Sequence, residues 1–196
     1  LMDAYRERDD KGNFYQNLIL DNLLLVDIYN RARKLKIEVN VPRCVYLVSF
    51  KKDKDSIVKD LLKGLFAPQS GDVITSVDED TLILIKSLKD DQGDEELDSV
   101  ARTIVSSLNT EAMLSARVSY GTVVRELKDV SKSYKEARMA MDVGSIFYAE
   151  QEVTAYTSLG IGRLIYQLPI PLCQMFLQEI FDGGILEELD EESRGT

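Results

Sequence analysis

Arg43-Cys44-Val45-Tyr46-Leu47-Val48-Ser49-Phe50 places apolar side chains at both odd and even positions. A strand with that pattern is covered on both faces. Pro42 stands before it and ends whatever helix precedes it. Downstream, Asp55 or Ser56 can cap a helix whose stripe is Ile57, Val58, Leu61, Leu62, Leu65 and Phe66, closed by Pro68 and Ser70-Gly71. Asp72 to Ser76 and Thr81 to Leu88 then flank the polar turn Val77-Asp78-Glu79-Asp80, which reads as a hairpin. A charged loop, Lys89 to Glu96, leads into a helix from Glu96 to Leu108. Its apolar residues Leu97, Val100, Ala101, Ile104, Val105 and Leu108 share one face. Ser115 to Tyr120 is a strand that stops at Gly121. The order β, α, β, β, α, β is the split βαβ, ferredoxin-like pattern of an α/β (α+β) domain. Right-handed crossovers put both helices on one face of the sheet, so its other face needs a cover.

Upstream, Phe14 to Ile37 reads as one long helix, with residues 1–13 as a frayed lead-in. Its leucines, isoleucines and valines surround the axis, and such a helix is covered on more than one side. Either a second copy of the chain supplies part of that cover, with Leu20, Leu24 and Ile28 as the candidate dimer interface, or the helix lies central in one large core.

Toward the C-terminus, Glu126 to Val143 repeats the helical spacing with Leu127, Val130, Tyr134, Ala137 and Met141, and Gly144 can cap it. Phe147-Tyr148 and Val153 to Tyr156 read as short strands. A helical region starts near Leu159, breaks at Pro169 and Pro171, and resumes over Gln174 to Phe181. The acidic stretch Asp182 to Thr196 reads as solvated. The expected organisation is a helical linker or dimerisation helix over 1–40, the α/β domain over 41–158 and a helical connector over 159–196.

Composition narrows the function. The chain has 34 acids against 24 bases and a net charge of −10, so it is not built to grip a phosphate backbone itself. Histidine is absent, which excludes His-ligated zinc and Ser-His-Asp hydrolysis. Cys44 and Cys173 both fall in apolar runs and read as reduced, buried thiols of a cytoplasmic protein. No apolar run reaches the ~18 residues of a membrane span. The first residues do not resemble a signal peptide, and the chain reads as a piece of a longer protein.

The palm of nucleotide cyclases and many polymerases has the same element order, and its chemistry needs carboxylates that hold two metals. Tyr46-Leu47-Val48-Ser49-Phe50-Lys51 is similar to the Asp-x-Asp-x-Phe-Lys segment of diguanylate cyclases. Phe50 and Lys51 match it, but Tyr46 and Val48 replace the acids. Val48 offers no oxygen to a hard cation. The hairpin Ser76-Val77-Asp78-Glu79-Asp80 resembles the cyclases' Gly-Gly-Asp-Glu-Phe turn with its glycines gone. Tyr46, Val48, Asp78 and Glu79 therefore define a remnant cleft in which no catalysis, metal or cofactor is expected. Lys51, Lys52 and Lys54 read as a solvated loop. Gly160-x-Gly162 reads as a turn, not a dinucleotide fingerprint.

Three stretches together resemble the GGDEF-like domain of the carbohydrate diacid regulators, the CdaR/PucR-type transcription factors. They are the leucine-rich helix ending in Arg31-Ala32-Arg33-Lys34-Leu35 and running through Pro42, then Val118-Ser119-Tyr120-Gly121 with Ser133-Tyr134-Lys135-Glu136-Ala137, and Tyr156-Thr157-Ser158-Leu159-Gly160 with Arg163-Leu164. The resemblance covers residues 14–190. It implies a non-catalytic regulatory module of a bacterial regulator of sugar diacid genes, which meets DNA through a helix-turn-helix domain absent from this chain; the apolar helix over 14–37 adds the expectation of a homodimer. The alternative it leaves open is a domain that binds an anionic small molecule or nucleotide in the remnant cleft. In plain structural terms Tyr134 and Ala137 are core residues, and Gly121 and Gly160 are turn glycines.

Overall fold

The computed structural model describes residues 2–51, 53–66, 71–90 and 92–182. Two compact units emerge, Leu1–Leu159 and Gly160–Thr196. In the first, α1 (Met2–Ile19) and α2 (Leu25–Lys34) precede β1 (Arg43–Ser49). Then come α3 (Asp55–Leu65), β2 (Val73–Ser76), β3 (Thr81–Ser87), α4 (Asp94–Ala112), β4 (Arg117–Tyr120), α5 (Val130–Phe147) and β5 (Val153–Ala155). The sheet order is β2-β3-β1-β4-β5. β1 is antiparallel to both β3 and β4, as the split βαβ pattern demands.

β1 is buried on both sides because helices cover both. Cys44, Tyr46 and Val48 pack with Leu84 and Val118 under Val58 and Leu62 of α3 and Ile104 and Leu108 of α4. Val45 and Leu47 point the other way and pack with Ile83 and Ile85 under Phe14 and Leu18 of α1, Ile28 of α2 and Ala137 of α5. Each fully buried aliphatic side chain in these layers stabilises the fold by about 1.5–3 kcal/mol. The chain thus supplies its own second cover.

The single helix expected over 14–37 is two helices, and the residues expected to fray form the start of the first. α1 ends because Asp21 adopts a left-handed φ of 56°. The Asn22 N–H donates to the Asn17 carbonyl at 2.9 Å and the Asp21 N–H to that of Leu18 at 3.2 Å. This is a Schellman turn with aspartate at the position glycine usually holds. Lys36 repeats the device at the end of α2, with φ 55° and the Ile37 N–H donating to the Ala32 carbonyl. The break also separates the three candidate interface residues. Ile28 is buried in the chain's own core, while Leu20 and Leu24 remain exposed.

Three further expectations change. α5 runs on through Phe147, so Phe147-Tyr148 is no strand and Gly144 is helix interior rather than a cap. A β-carbon there would lie 2.7 Å from Thr154 Oγ1, so Gly144 lets β5 approach the helix. β5 itself joins the sheet parallel to β4. In the second unit, α6 (Gly162–Gln167) and α7 (Ile170–Asp182) are split at Leu168, whose extended backbone is the one favoured before Pro169. The Pro169 carbonyl accepts the Leu172 and Cys173 N–H groups, so α7 starts earlier than Gln174. Pro171 is tolerated because first-turn N–H groups have no helical partner. Cys44 is buried as expected, but Cys173 is half-buried. Among the described residues no helix is long and apolar enough to cross a membrane. Lys52 and the tail beyond Asp182 lie outside the described residues.

Candidate functional site

Tyr46 and Val48 lie on alternate positions of β1 and point into the layer under α3 and α4. Both are fully buried. The Tyr46 hydroxyl donates to the Leu97 carbonyl at 3.0 Å, and its ring centroid lies 5.3 Å from that of Tyr120. Burial pushes the Tyr46 phenol far above its usual value. Burial, then the charge of Asp98, raises Tyr120 to about 12, and burial raises the neighbouring Cys44 thiol to about 12. All three stay protonated at neutral pH. The positions that resemble a metal-binding strand are therefore a packed wall of neutral side chains.

The hairpin turn is tied to the opposite face. Arg138 of α5 donates to Asp78 Oδ2 at 3.2 Å, and the Gln16 amide of α1 donates to the Ser76 carbonyl at 2.8 Å. Glu79 is exposed. The Asp80 carbonyl accepts the Phe50 N–H at 3.1 Å, which fixes the end of β1 against the turn. The structure therefore does not gather Tyr46, Val48, Asp78 and Glu79 into one cleft. Among the described residues no three His, Cys, Asp or Glu side chains stand close enough to share a cation.

Two of the surface grooves among the described residues of this unit flank α4. One, of about 530 Å³, is lined by Lys89 and by Asp94, Glu95 and Glu96 at the start of α4. The other, of about 600 Å³, lies between Asp98 and Arg102 of α4 and the segment 150–158 before and after β5, with Glu150 and Glu152 on its wall. Arg102 is already engaged by Asp98 at 2.5 Å. Both grooves carry more acid than base, which opposes an anionic ligand.

The most ordered polar constellation is one that sequence periodicity did not reveal. The β1–β4 ladder runs from Ser49↔Arg117 to Tyr46↔Tyr120, lapses at Gly121 to Val123, and resumes as the single bridge Arg43↔Val124. Helix α5 fills the lapse. Ser133 Oγ accepts the Val45 N–H at 3.1 Å and donates to the Thr122 carbonyl at 2.8 Å. The Glu136 carboxylate accepts the Thr122 N–H at 2.8 Å and its hydroxyl at 2.5 Å. Ser119 Oγ donates to the Ala137 carbonyl at 2.7 Å. A β-carbon on Gly121 would sit 2.2 Å from the Ser133 carbonyl oxygen, so this glycine serves close approach and not a turn. Gly160, with φ 53° and open space around it, is the turn glycine expected. The Ser-Tyr-x-Glu-Ala segment thus takes up the Val45 N–H and the Thr122 N–H, hydroxyl and carbonyl, while the Gly121 N–H still reaches the Val45 carbonyl and the Gly121 carbonyl accepts from Cys44 Sγ. Tyr134, at the centre of that segment, is half-buried against the α1 side of the core, and Ala137 is fully buried.

A second polar anchor sits at the start of β1. Arg43 is buried, and its guanidinium donates to the carbonyls of Glu38 at 2.6 Å and Val41 at 3.3 Å. Burial lowers the Arg43 pKa, a shift that the Tyr15 phenol of α1 opposes, and burial raises Tyr15. This arginine holds the α2–β1 connection against α1. The signal for it was a charged residue opening an otherwise apolar strand.

A family model described as a GGDEF-like domain matches residues 22–143. No curated protein matches the chain. The matched span begins in the turn between α1 and α2 and ends within α5, so it takes in the hairpin, four strands of the sheet and the whole Ser133–Glu136 seam. On that span, more than half its length, the chain belongs to the GGDEF-like domain family.

Proposed function

We propose that this chain is a non-catalytic regulatory and dimerisation module of a bacterial, cytoplasmic transcription regulator that controls sugar diacid utilisation genes. DNA contact is left to a helix-turn-helix domain outside the chain, in keeping with the net charge of −10. The observation that carries the reading is the fate of the palm positions. Tyr46 and Val48 stand where metal-holding acids would be needed, and both are sealed in the core. A GGDEF-like fold without those oxygens keeps its shape and loses the means to activate a nucleotide. The three motif stretches that resemble the carbohydrate diacid regulators support the narrower assignment.

The test is turnover. The whole chain incubated with GTP and magnesium should release no cyclic dinucleotide above the protein-free blank. Product formed in proportion to protein would overturn the non-catalytic reading. For the regulatory half, deletion of the parent gene should alter transcripts of sugar diacid utilisation. An unchanged transcript profile on those carbon sources would count against it.

A further inference from the structure

We infer that two copies of this chain meet at the corner between α1 and α2, with α2 antiparallel to its mate; the inference rests on the self-association in the functional reading and names its surface. Leu24, Leu25 and Val26 are 75%, 54% and 69% exposed, and the adjoining Leu20 is 48% exposed. These four are not needed to cover the sheet, since Leu18, Ile19, Ile28 and Ala32 of the same two helices already do so. Local chemistry does not account for them either. Leu24 occupies the N-cap of α2 and makes no side-chain cap, at a position where Ser, Thr, Asp or Asn would stabilise the helix. A leucine that is poor for the helix and exposed to water is explained by an apolar cover that the first unit does not itself supply.

Charge favours a second copy as that cover. Each chain carries −10, so like copies repel over most of their surface. Residues 20–36 carry both signs, with Asp21 and Asp27 against Arg31, Arg33, Lys34 and Lys36, so two like surfaces can meet there only in a register that sets acid against base. Asp21 is engaged by Lys135 of α5. Asp27 and Lys34 lie in the first and last turns of α2, seven residues apart and so on one side of the helix. They are too distant to pair within one helix. An antiparallel mate sets Asp27 of each copy against the partner's Lys34. It also lays the Leu24–Val26 turn over the end of the partner's α2, where Leu35 and Ile37 are half-buried.

Sedimentation velocity over a concentration series tests this on the whole chain. The native chain should dimerise reversibly. Leu24→Asp should weaken the dimer roughly tenfold or more, as loss of one well-buried interface side chain does. The same variant installs an N-cap, so its melting temperature at a dilution where the native chain is monomeric should hold or rise. That readout separates an interface residue from a core residue. Asp27→Lys and Lys34→Asp should each weaken association, and the two together should restore it. A dimer indifferent to Leu24→Asp, a lowered melting temperature of the dilute variant, or failure of the double exchange to restore pairing overturns this surface and leaves the non-catalytic reading standing. A strict monomer at every concentration, including one whose corner captures a different protein, overturns the surface and the self-association together, while the turnover assay still judges the chemistry separately.

Discussion

The hydroxyl of Ser133 on α5 accepts the main-chain N–H of Val45 on β1 at 3.1 Å, across 88 positions of sequence. The bond replaces a ladder contact that β4 fails to make where it turns away at Gly121. It makes α5 a structural continuation of the sheet rather than a helix merely laid on it, and the Ser-Tyr-x-Glu-Ala segment is legible in those terms.

Removing that hydroxyl leaves the Val45 N–H buried without a partner and the half-buried Thr122 carbonyl without its donor. Ser133→Ala should therefore cost about 1–3 kcal/mol, the penalty of an unsatisfied buried group. Gly121→Ala should cost at least as much, because its new methyl meets the backbone of α5 and not a side chain that can swing away. Chemical denaturation of both variants measures the losses. Residues coupled through one seam should also fail to add, and the double variant should lose less than the sum of the two. Simple addition would mean that the two positions act independently.

The packed wall at the palm positions yields a second prediction. Val48→Asp restores one acid that cyclases carry, yet it places a carboxylate in a layer of leucine and valine. It should destabilise the chain by about 3–5 kcal/mol, the cost of a buried charge without a partner, and confer no GTP turnover. Burial raises the pKa of such a group above its unfolded value near ~3.9. The part of the penalty due to charge is therefore absent when both states are protonated and grows as pH rises through the carboxylate range. Urea midpoints at acid and neutral pH check the sign: the deficit relative to the native chain should shrink on acidification. A stable variant with turnover would mean that a working cleft lies under α4.

The sheet was readable from the sequence because its signals are periodic. Cys44 to Phe50 shows two apolar faces, and α4 repeats its apolar positions over three turns, so neither can sit elsewhere without exposing a stripe. The corner at Asp21-Asn22 was hidden by the leucines on both sides of it. Apolar periodicity continued across the break, and the turn was carried by an aspartate in a conformation usually left to glycine. The seam was hidden for a different reason. Ser133 and Glu136 are polar residues on the inward side of α5, and only the lapse of the β1–β4 ladder, a tertiary event, gives them partners. Gly121 was misread for the same cause, since its neighbour in space is twelve positions away in the chain.

The alkaline limit of the fold follows from its buried acids. The chain has no histidine, so few side chains titrate between the carboxylates and the thiols, and stability should be nearly flat across neutral pH. Cys44 and Tyr120 are raised to about 12 from reference values of 9.0 and 10.0, and Tyr46 is raised as well, all by burial first. In each case the folded state holds its proton longer than the unfolded one. Their contribution is therefore fully present below pH 9, falls once the unfolded groups begin to ionise, and is lost as pH rises toward 12. Thermal melts on the alkaline side should show a steady decline with pH, and Tyr46→Phe should flatten it by removing a buried phenol. The same variant releases the Leu97 carbonyl from its hydrogen bond, so it should also be less stable at neutral pH by about 1 kcal/mol. An alkaline slope unchanged by Tyr46→Phe would show that the ionisation governing it lies elsewhere.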